Sequence, residues 1–282
     1  MTTEGYALIT GAARGLGFAF AREAAGRGFD LLIVDLPGMG LGLVARNIAR
    51  ESGKDVRFLE LDLTGESSHA RLLETMRSLD KPLKLLVNNV GVGDNGLFDL
   101  IPLSAHRRAV ELNIQSTMSL TYGAIPLLEK SGGGIVTVAS LAGFYPMPLF
   151  AVYAATKAFL LHWSLALRHE LAPLGIASTT LAPGGIYTSE EIRKKTVSQG
   201  LAGRLSGMEP EEVAKEALDG LARGRAVVVP GFFNRLLMRL GSSMPKNFMA
   251  RSILGRWKSA LSKVEGSSDG RYYSRGEKNN AA

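Results

Sequence analysis

The chain has 282 residues, 46% of them apolar, enough to bury one large core in a single domain. No uncharged apolar run reaches the roughly 18 residues of a spanning helix. The absence of cysteine excludes disulfides, thiolate metal sites and a cysteine nucleophile. The net charge of +7 sits at one end, where twelve Lys/Arg face three Asp/Glu between Arg223 and Ala282.

Taken in chain order, apolar runs alternate with helical patterns. Strands are expected at Tyr6–Thr10, Leu31–Asp35, Val56–Leu61, Leu83–Asn88, Gly134–Ser140, Ala177–Ala182 and Ala226–Pro230. Helices are expected at Gly17–Arg27, Gly40–Ser52, Ser67–Leu79, Ala105–Leu128, Tyr153–Leu171 and Pro210–Arg223. Runs such as Leu31-Leu-Ile-Val34 are apolar throughout, as in strands covered on both faces. This pattern predicts a doubly wound α/β fold over residues 1–230 with a seven-stranded, mostly parallel sheet. The first strand begins almost at once, without a basic leader, and with the lack of cysteine this predicts a cytoplasmic protein. Residues 266–282 read as a disordered polar tail.

Thr10-Gly-Ala-Ala-Arg-Gly-Leu-Gly17 joins the first strand to the first helix. Gly11, Gly15 and Gly17 let such a turn approach a pyrophosphate held at the helix N-terminus. Asp35 ends the second strand and can accept both ribose hydroxyls of NAD while repelling the 2′-phosphate of NADP. Arg14 is the counter-signal, because a guanidinium in the glycine loop can pair with that phosphate. NAD is therefore the favoured cofactor, with NADP as the alternative. Asp62 ends the third strand, suited either to an adenine amine or to capping the next helix. Asn88-Asn-Val-Gly91 ends the fourth, where amides either stitch strands or line the cofactor cleft.

Tyr153 and Lys157 stand four residues apart on a helix and so share a face. An ammonium about 4 Å from a phenol contributes about 4 kcal/mol at an effective dielectric of about 20, which would pull the phenol toward neutral pKa. Ser140 precedes Tyr153 by thirteen residues, and Asn113 lies inside the long fourth helix despite its poor helix propensity. His69, His106, His162 and His169 show no metal-ligand spacing, so no metal is expected. No Gly-x-Ser-x-Gly elbow supports a serine hydrolase.

In order and spacing, the glycine loop, Asp62, Asn88-Asn-x-Gly91, Asn113, Ser140, Tyr153-x-x-x-Lys157 and Pro183-Gly184 with Thr188 resemble the short-chain dehydrogenase/reductase family, over residues 5 to 230. Val90 stands where the family usually has alanine, a conservative departure. The resemblance implies that Tyr153 exchanges the hydroxyl proton, Lys157 lowers its pKa and holds the nicotinamide ribose, Ser140 binds the substrate oxygen, and Asn113 positions a relay water. It further implies cofactor contacts at Leu16, Leu63, Asn89, Gly91, Pro183, Gly184, Ile186 and Thr188. The expected activity interconverts a secondary alcohol and a ketone on a hydrophobic substrate. The alternatives are an NADPH-dependent 3-oxoacyl or carbonyl reductase, or an idle cofactor-sensing binding protein. A homodimer or homotetramer is the expected assembly, with no nucleic acid partner.

Phe144, Tyr145, Met147 and Phe150 are a heavy apolar load for a loop, suited to a greasy substrate pocket or to subunit packing. Residues 186–208 lack periodicity and read as a substrate lid. Residues 231–265 read as a basic helical extension, with Met249, Ile253, Trp257, Leu261 and Val264 at helical spacing. Such a helix can lie on anionic membrane, cap the pocket or dock on a second subunit. This end resembles, more weakly, the basic extensions of family members that act on lipid-like substrates.

Overall fold

The computed structural model describes residues 4–188, 206–242 and 244–261, with side chains described for all but Ser242 and residues 256–261. Seven parallel strands form one sheet in the order β3-β2-β1-β4-β5-β6-β7. They are β1 Tyr6–Thr10, β2 Asp30–Asp35, β3 Val56–Glu60, β4 Leu83–Asn88, β5 Gly134–Val138, β6 Ala177–Leu181 and β7 Val227–Val228. The expected doubly wound fold is present.

Side chains alternate along each strand, so consecutive residues feed opposite cores. Ala7, Ile9, Leu31 and Ile33 pack under α1 (Gly15–Gly26), α2 (Leu41–Ser52) and α7 (Pro210–Ala222). Tyr6, Leu8, Leu32 and Val34 face α3 (Glu66–Arg77), α5 (Ser116–Ser131) and α6 (Ala151–Leu171). The uninterrupted apolar runs thus serve two layers at once, and each fully buried Leu or Ile contributes about 1.5–3 kcal/mol.

The single helix expected over Ala105–Leu128 is three pieces: α4 (Leu103–Val110), a π-helical turn (Glu111–Gln115) and α5. Asn113 sits in that wider turn, where its side-chain amide pairs with backbone from outside the helix. β7 is shorter than Ala226–Pro230, since only Val227 and Val228 register with β6 at the sheet edge. The C-terminal extension forms two helices, α8 (Phe232–Ser242) and α9 (Lys246–Leu261). Most of the expected lid (189–205), the expected tail (266–282) and Val264 lie outside the described residues.

Strand order reverses between β1 and β4, and their carboxyl ends open a crevice there. Doubly wound sheets bind ligands at this point, and the candidate residues gather at it.

Candidate active site

The glycine loop leaves β1 with Gly11 and Gly15 at φ of +69° and +56°, backbone that favours glycine. Gly17 is forced by contact instead: a Cβ there would lie 1.9 Å from the Gly11 carbonyl oxygen. The loop and α1 therefore press together with no room for a side chain, and α1 directs its N-terminus into the crevice. Arg14 is exposed at the N-cap of α1, and Leu16 is buried beneath the loop.

Asp35 is tied to this loop, one carboxylate oxygen accepting from Ala13 N–H at 2.7 Å and the other from Leu36 N–H at 2.8 Å. Asn89 makes the opposite wall, its Nδ2 donating to the Thr10 and Gly11 carbonyls at 2.8 and 3.3 Å. Of the two roles open to the amides, the stitching one is observed, and Asn88 likewise donates to Thr121 Oγ1 at 2.8 Å. The Thr188 side chain closes against Gly15, its Cγ2 2.9 Å from where a Cβ would stand. Pro183 accepts a hydrogen bond from Leu141 N–H at 2.9 Å, and Ile186 forms a parallel bridge with Met208.

Asp62 turns back on its own chain. Its Oδ1 accepts from Thr64 N–H at 3.1 Å and Thr64 Oγ1 at 2.9 Å, and its Oδ2 pairs with Arg108 at 3.2 Å. Burial pushes its pKa up, but the Thr64 hydrogen bonds and the Arg108 guanidinium outweigh it, and the net shift is downward. Leu63 is buried in the core beneath α3.

At the far end of the crevice, Asn113 is fully buried and its amide brackets Val92. Oδ1 accepts from Val92 N–H, Nδ2 donates to the Val92 carbonyl, both at 2.8 Å, and Nδ2 also donates to Thr156 Oγ1 at 2.9 Å. Lys157, 3% exposed, donates from Nζ to the Val138 carbonyl at 2.8 Å. Gly91 is the meeting point, because a Cβ there would lie 3.1 Å from Lys157 Nζ and 3.3 Å from Asn113 Oδ1. Gly93 holds the phenol in the same way: a Cβ would fall 2.3 Å from Tyr153 Cδ2. Ser140 leaves the end of β5 in extended backbone, its Oγ accepting from Ala142 N–H at 3.1 Å. Asn113, Ser140, Tyr153 and Lys157 are thus brought together from three places: the π turn, the end of β5 and α6.

The electrostatics differ from the expectation. Burial raises the Tyr153 phenol above its ordinary pKa, with the Ser140 hydrogen bond pulling the other way. Lys157 does not lower it here, because Nζ lies 5.8 Å from the ring centroid and is directed at Val138. Burial also pushes Lys157 down to about 8, so both charged forms are disfavoured by the same dry environment.

The loop residues scatter. Phe150 meets the Tyr153 ring edge-on with centroids 5.8 Å apart. Phe144 packs toward Ala139, Leu160 and Leu161. Tyr145 lies against Gly241 of α8, its hydroxyl buried and its pKa pushed up to about 12. Met147 is half-buried, its carbonyl accepting from Phe150 N–H at 3.1 Å. Beside them lies a cavity of about 210 Å³ lined by Asp94, Phe98, Ile101, Leu149, Val152 and Leu254 of α9. The extension therefore reaches the loop cluster.

Sequence reasoning missed Val92, Gly93 and Asn234. Val92 and Gly93 continue the Asn88-Asn-Val-Gly91 motif, and their proximity to it was the available signal. Asn234, on the buried face of α8, holds the Ser206 and Pro230 carbonyls at 3.1 and 2.9 Å and abuts Gly184. A lone amide among apolar and basic residues was its only mark.

A family model described as short chain dehydrogenase matches residues 5–198. The chain belongs to this family. With that membership, the dehydrogenase is an NAD(P)-dependent oxidoreductase acting on alcohol or carbonyl groups. It is 32% identical over 218 residues to a 3-oxoacyl-[acyl-carrier-protein] reductase of Aquifex aeolicus, covering 75% of this chain and 87% of that one. Over 189 residues it is 33% identical to an estradiol 17-beta-dehydrogenase 2 of Mus musculus, 64% of this chain but only 48% of the relative, about half its length. A solved short-chain dehydrogenase from Sphingobium yanoikuyae in complex with NADPH superposes with a TM-score of 0.71 at 29% identity, covering 86% of this chain and 97% of that one.

Proposed function

We propose that the dehydrogenase interconverts a secondary alcohol and a ketone on a bulky apolar substrate, using NAD in preference to NADP. The observation that carries this reading is the convergence of Asn113 and Lys157 on Gly91 and of Tyr153 on Gly93, with Ser140 hydrogen-bonded to Tyr153, at the end of a crevice that begins with the glycine loop. The nicotinamide supplies the hydride acceptor or donor. Tyr153 gives or takes the proton on the substrate oxygen, and Ser140 hydrogen-bonds that oxygen. Lys157, fixed by the Val138 carbonyl, stands where it can meet the ribose, and Asn113 holds the Val92 backbone that walls the site. Apolar substrate character is supported by Phe150 beside the phenol and by the neighbouring cavity. The 3-oxoacyl reductase relative keeps an acyl ketone as the second substrate reading.

The NAD preference rests on Asp35, a carboxylate pinned beside the loop where a 2′-phosphate would meet it. The relative solved with NADPH makes this the point to test. Steroid, acyl and sugar alcohols are to be screened with each cofactor, reading reduced-cofactor absorbance. Turnover is expected for a steroid or long acyl alcohol with NAD, and Asp35→Ala should level the two cofactors. Turnover confined to sugar alcohols would overturn the substrate reading.

A homo-oligomer is the assembly we favour. Met118, Tyr122 and Phe159 are exposed on α5 and α6, next to a shallow apolar depression of about 530 Å³ lined by Phe98, Val110, Ile114 and Phe159. Light scattering should give a mass of two or four chains, and a monomer at micromolar concentration would refute it. Among the described residues no helix is long and apolar enough to cross a membrane. A cytoplasmic location suits a chain without cysteine.

A further inference from the structure

α8 turns one face to the protein and one away from it. On the inner face Asn234 is 1% exposed, Met238 packs with Leu141, Ala182 and Val229, and Gly241 receives the Tyr145 ring. On the outer face Phe232, Leu236 and Leu240 are 77, 40 and 52% exposed, each four residues after the last. The same interval continues through Met244 and Phe248, at 41 and 60%. Three large apolar side chains in a row on α8, followed by exposed Met244 and Phe248, exceed the scattered exposure of ordinary surfaces.

The segment that carries the row is basic, although Arg235 also pairs with Glu216 of α7 at 3.8 Å. Residues 231–261 hold six Lys/Arg and no Asp/Glu. Arg235 and Arg239 flank the row on α8, and Lys246 and Arg251 follow on α9.

We propose that this face docks peripherally on an anionic lipid bilayer. The apolar row enters the boundary between headgroups and acyl chains, and the flanking cations sit at phosphate level. Charge selects this occupant. A second copy using the same patch would bring Lys246 and Arg251, with no acidic residue on their helix, against their equals, and such like-charge juxtaposition is costly. A nucleic acid would match the cations but leave the apolar row unused. Docking would also bring the active site near the membrane, since the inner face of α8 touches Gly184 and the loop after Ser140. That consequence rests on the apolar-substrate reading; the docking does not.

The test is co-sedimentation of the full chain, loaded with NAD, with vesicles of phosphatidylcholine alone or mixed with phosphatidylserine. Binding is expected with phosphatidylserine, and at least about tenfold weaker on neutral vesicles or in high salt. A Phe232→Ser/Leu236→Ser/Leu240→Ser variant should lose about tenfold or more, and so should Lys246→Glu/Arg251→Glu. Both change exposed residues, so melting curves and turnover of a water-soluble alcohol should stay as in the parent. Absence of binding to either vesicle, or binding unaltered in both variants, overturns the proposal. A drop in oligomer mass for the serine variant without lipid also overturns it, by assigning the face to a second copy. Sedimentation reads no turnover, so its failure is distinct from failure of the substrate reading.

Discussion

Tyr153→Phe is expected to lower kcat by about 10²–10⁴-fold, the range general acid–base catalysis supplies. Dinucleotide affinity should be nearly unchanged. The substitution removes only a hydroxyl, so the ring keeps its seat against Gly93 and its edge-on contact with Phe150. Lys157 keeps its hydrogen bond to Val138. A loss of this size cannot then be ascribed to disordered packing, and cofactor fluorescence titration separates binding from chemistry. Turnover that survives the change would overturn the acid–base role. Absence of turnover in the parent, with dinucleotide bound, would instead favour the idle binding protein.

Lys157→Met is expected to abolish turnover while leaving the fold as stable as the parent, or more so, at neutral pH. Burial holds the Lys157 pKa near 8, against about 10.4 for lysine in an unfolded chain. That gap corresponds to about 3 kcal/mol of destabilisation below pH 8, where the folded protein must keep a charged ammonium in a dry site. Losing the bond to the Val138 carbonyl returns about 1 kcal/mol. Between about pH 8 and 10.4 the unfolded chain binds more protons than the folded one, so the parent gains stability as pH rises. Methionine removes this gain. Urea unfolding across that window should show the parent overtaking its neutral-pH value relative to the variant, and parallel curves would refute the buried-lysine account.

Much of this was legible in the chain because it depends on local pattern. Strands such as Leu31-Leu-Ile-Val34 are apolar throughout since both faces are covered, and the glycine loop lies at a fixed place between strand and helix. What was not legible depends on contacts between distant segments. The π turn at Asn113 exists because its amide reaches Val92, and neither position marks a break in the Ala105–Leu128 periodicity. The spacing of Tyr153 and Lys157 placed them on one face, but spacing carries no information on burial, and burial reversed the expected direction of the phenol's shift. The C-terminus was legible as a basic amphipathic extension over residues 231–265, but its division into α8 and α9 and the contacts of Asn234 and Gly241 with distant segments were not.

The seat proposed for the dinucleotide also has a biosynthetic side. Its parts are Gly11, Asp35, Asn89 and Thr188, and Gly15 closes only against the last of these. A ribosome making this chain finishes the glycine loop before five of the other six strands, β2 to β6, and Thr188, so the loop meets its final wall only after most of the sheet has been translated. On that proposal cofactor capture is expected late in synthesis, and nascent chains arrested before and after Thr188 emerges should differ in it. Dinucleotide can then reward completed sheets but cannot template early ones.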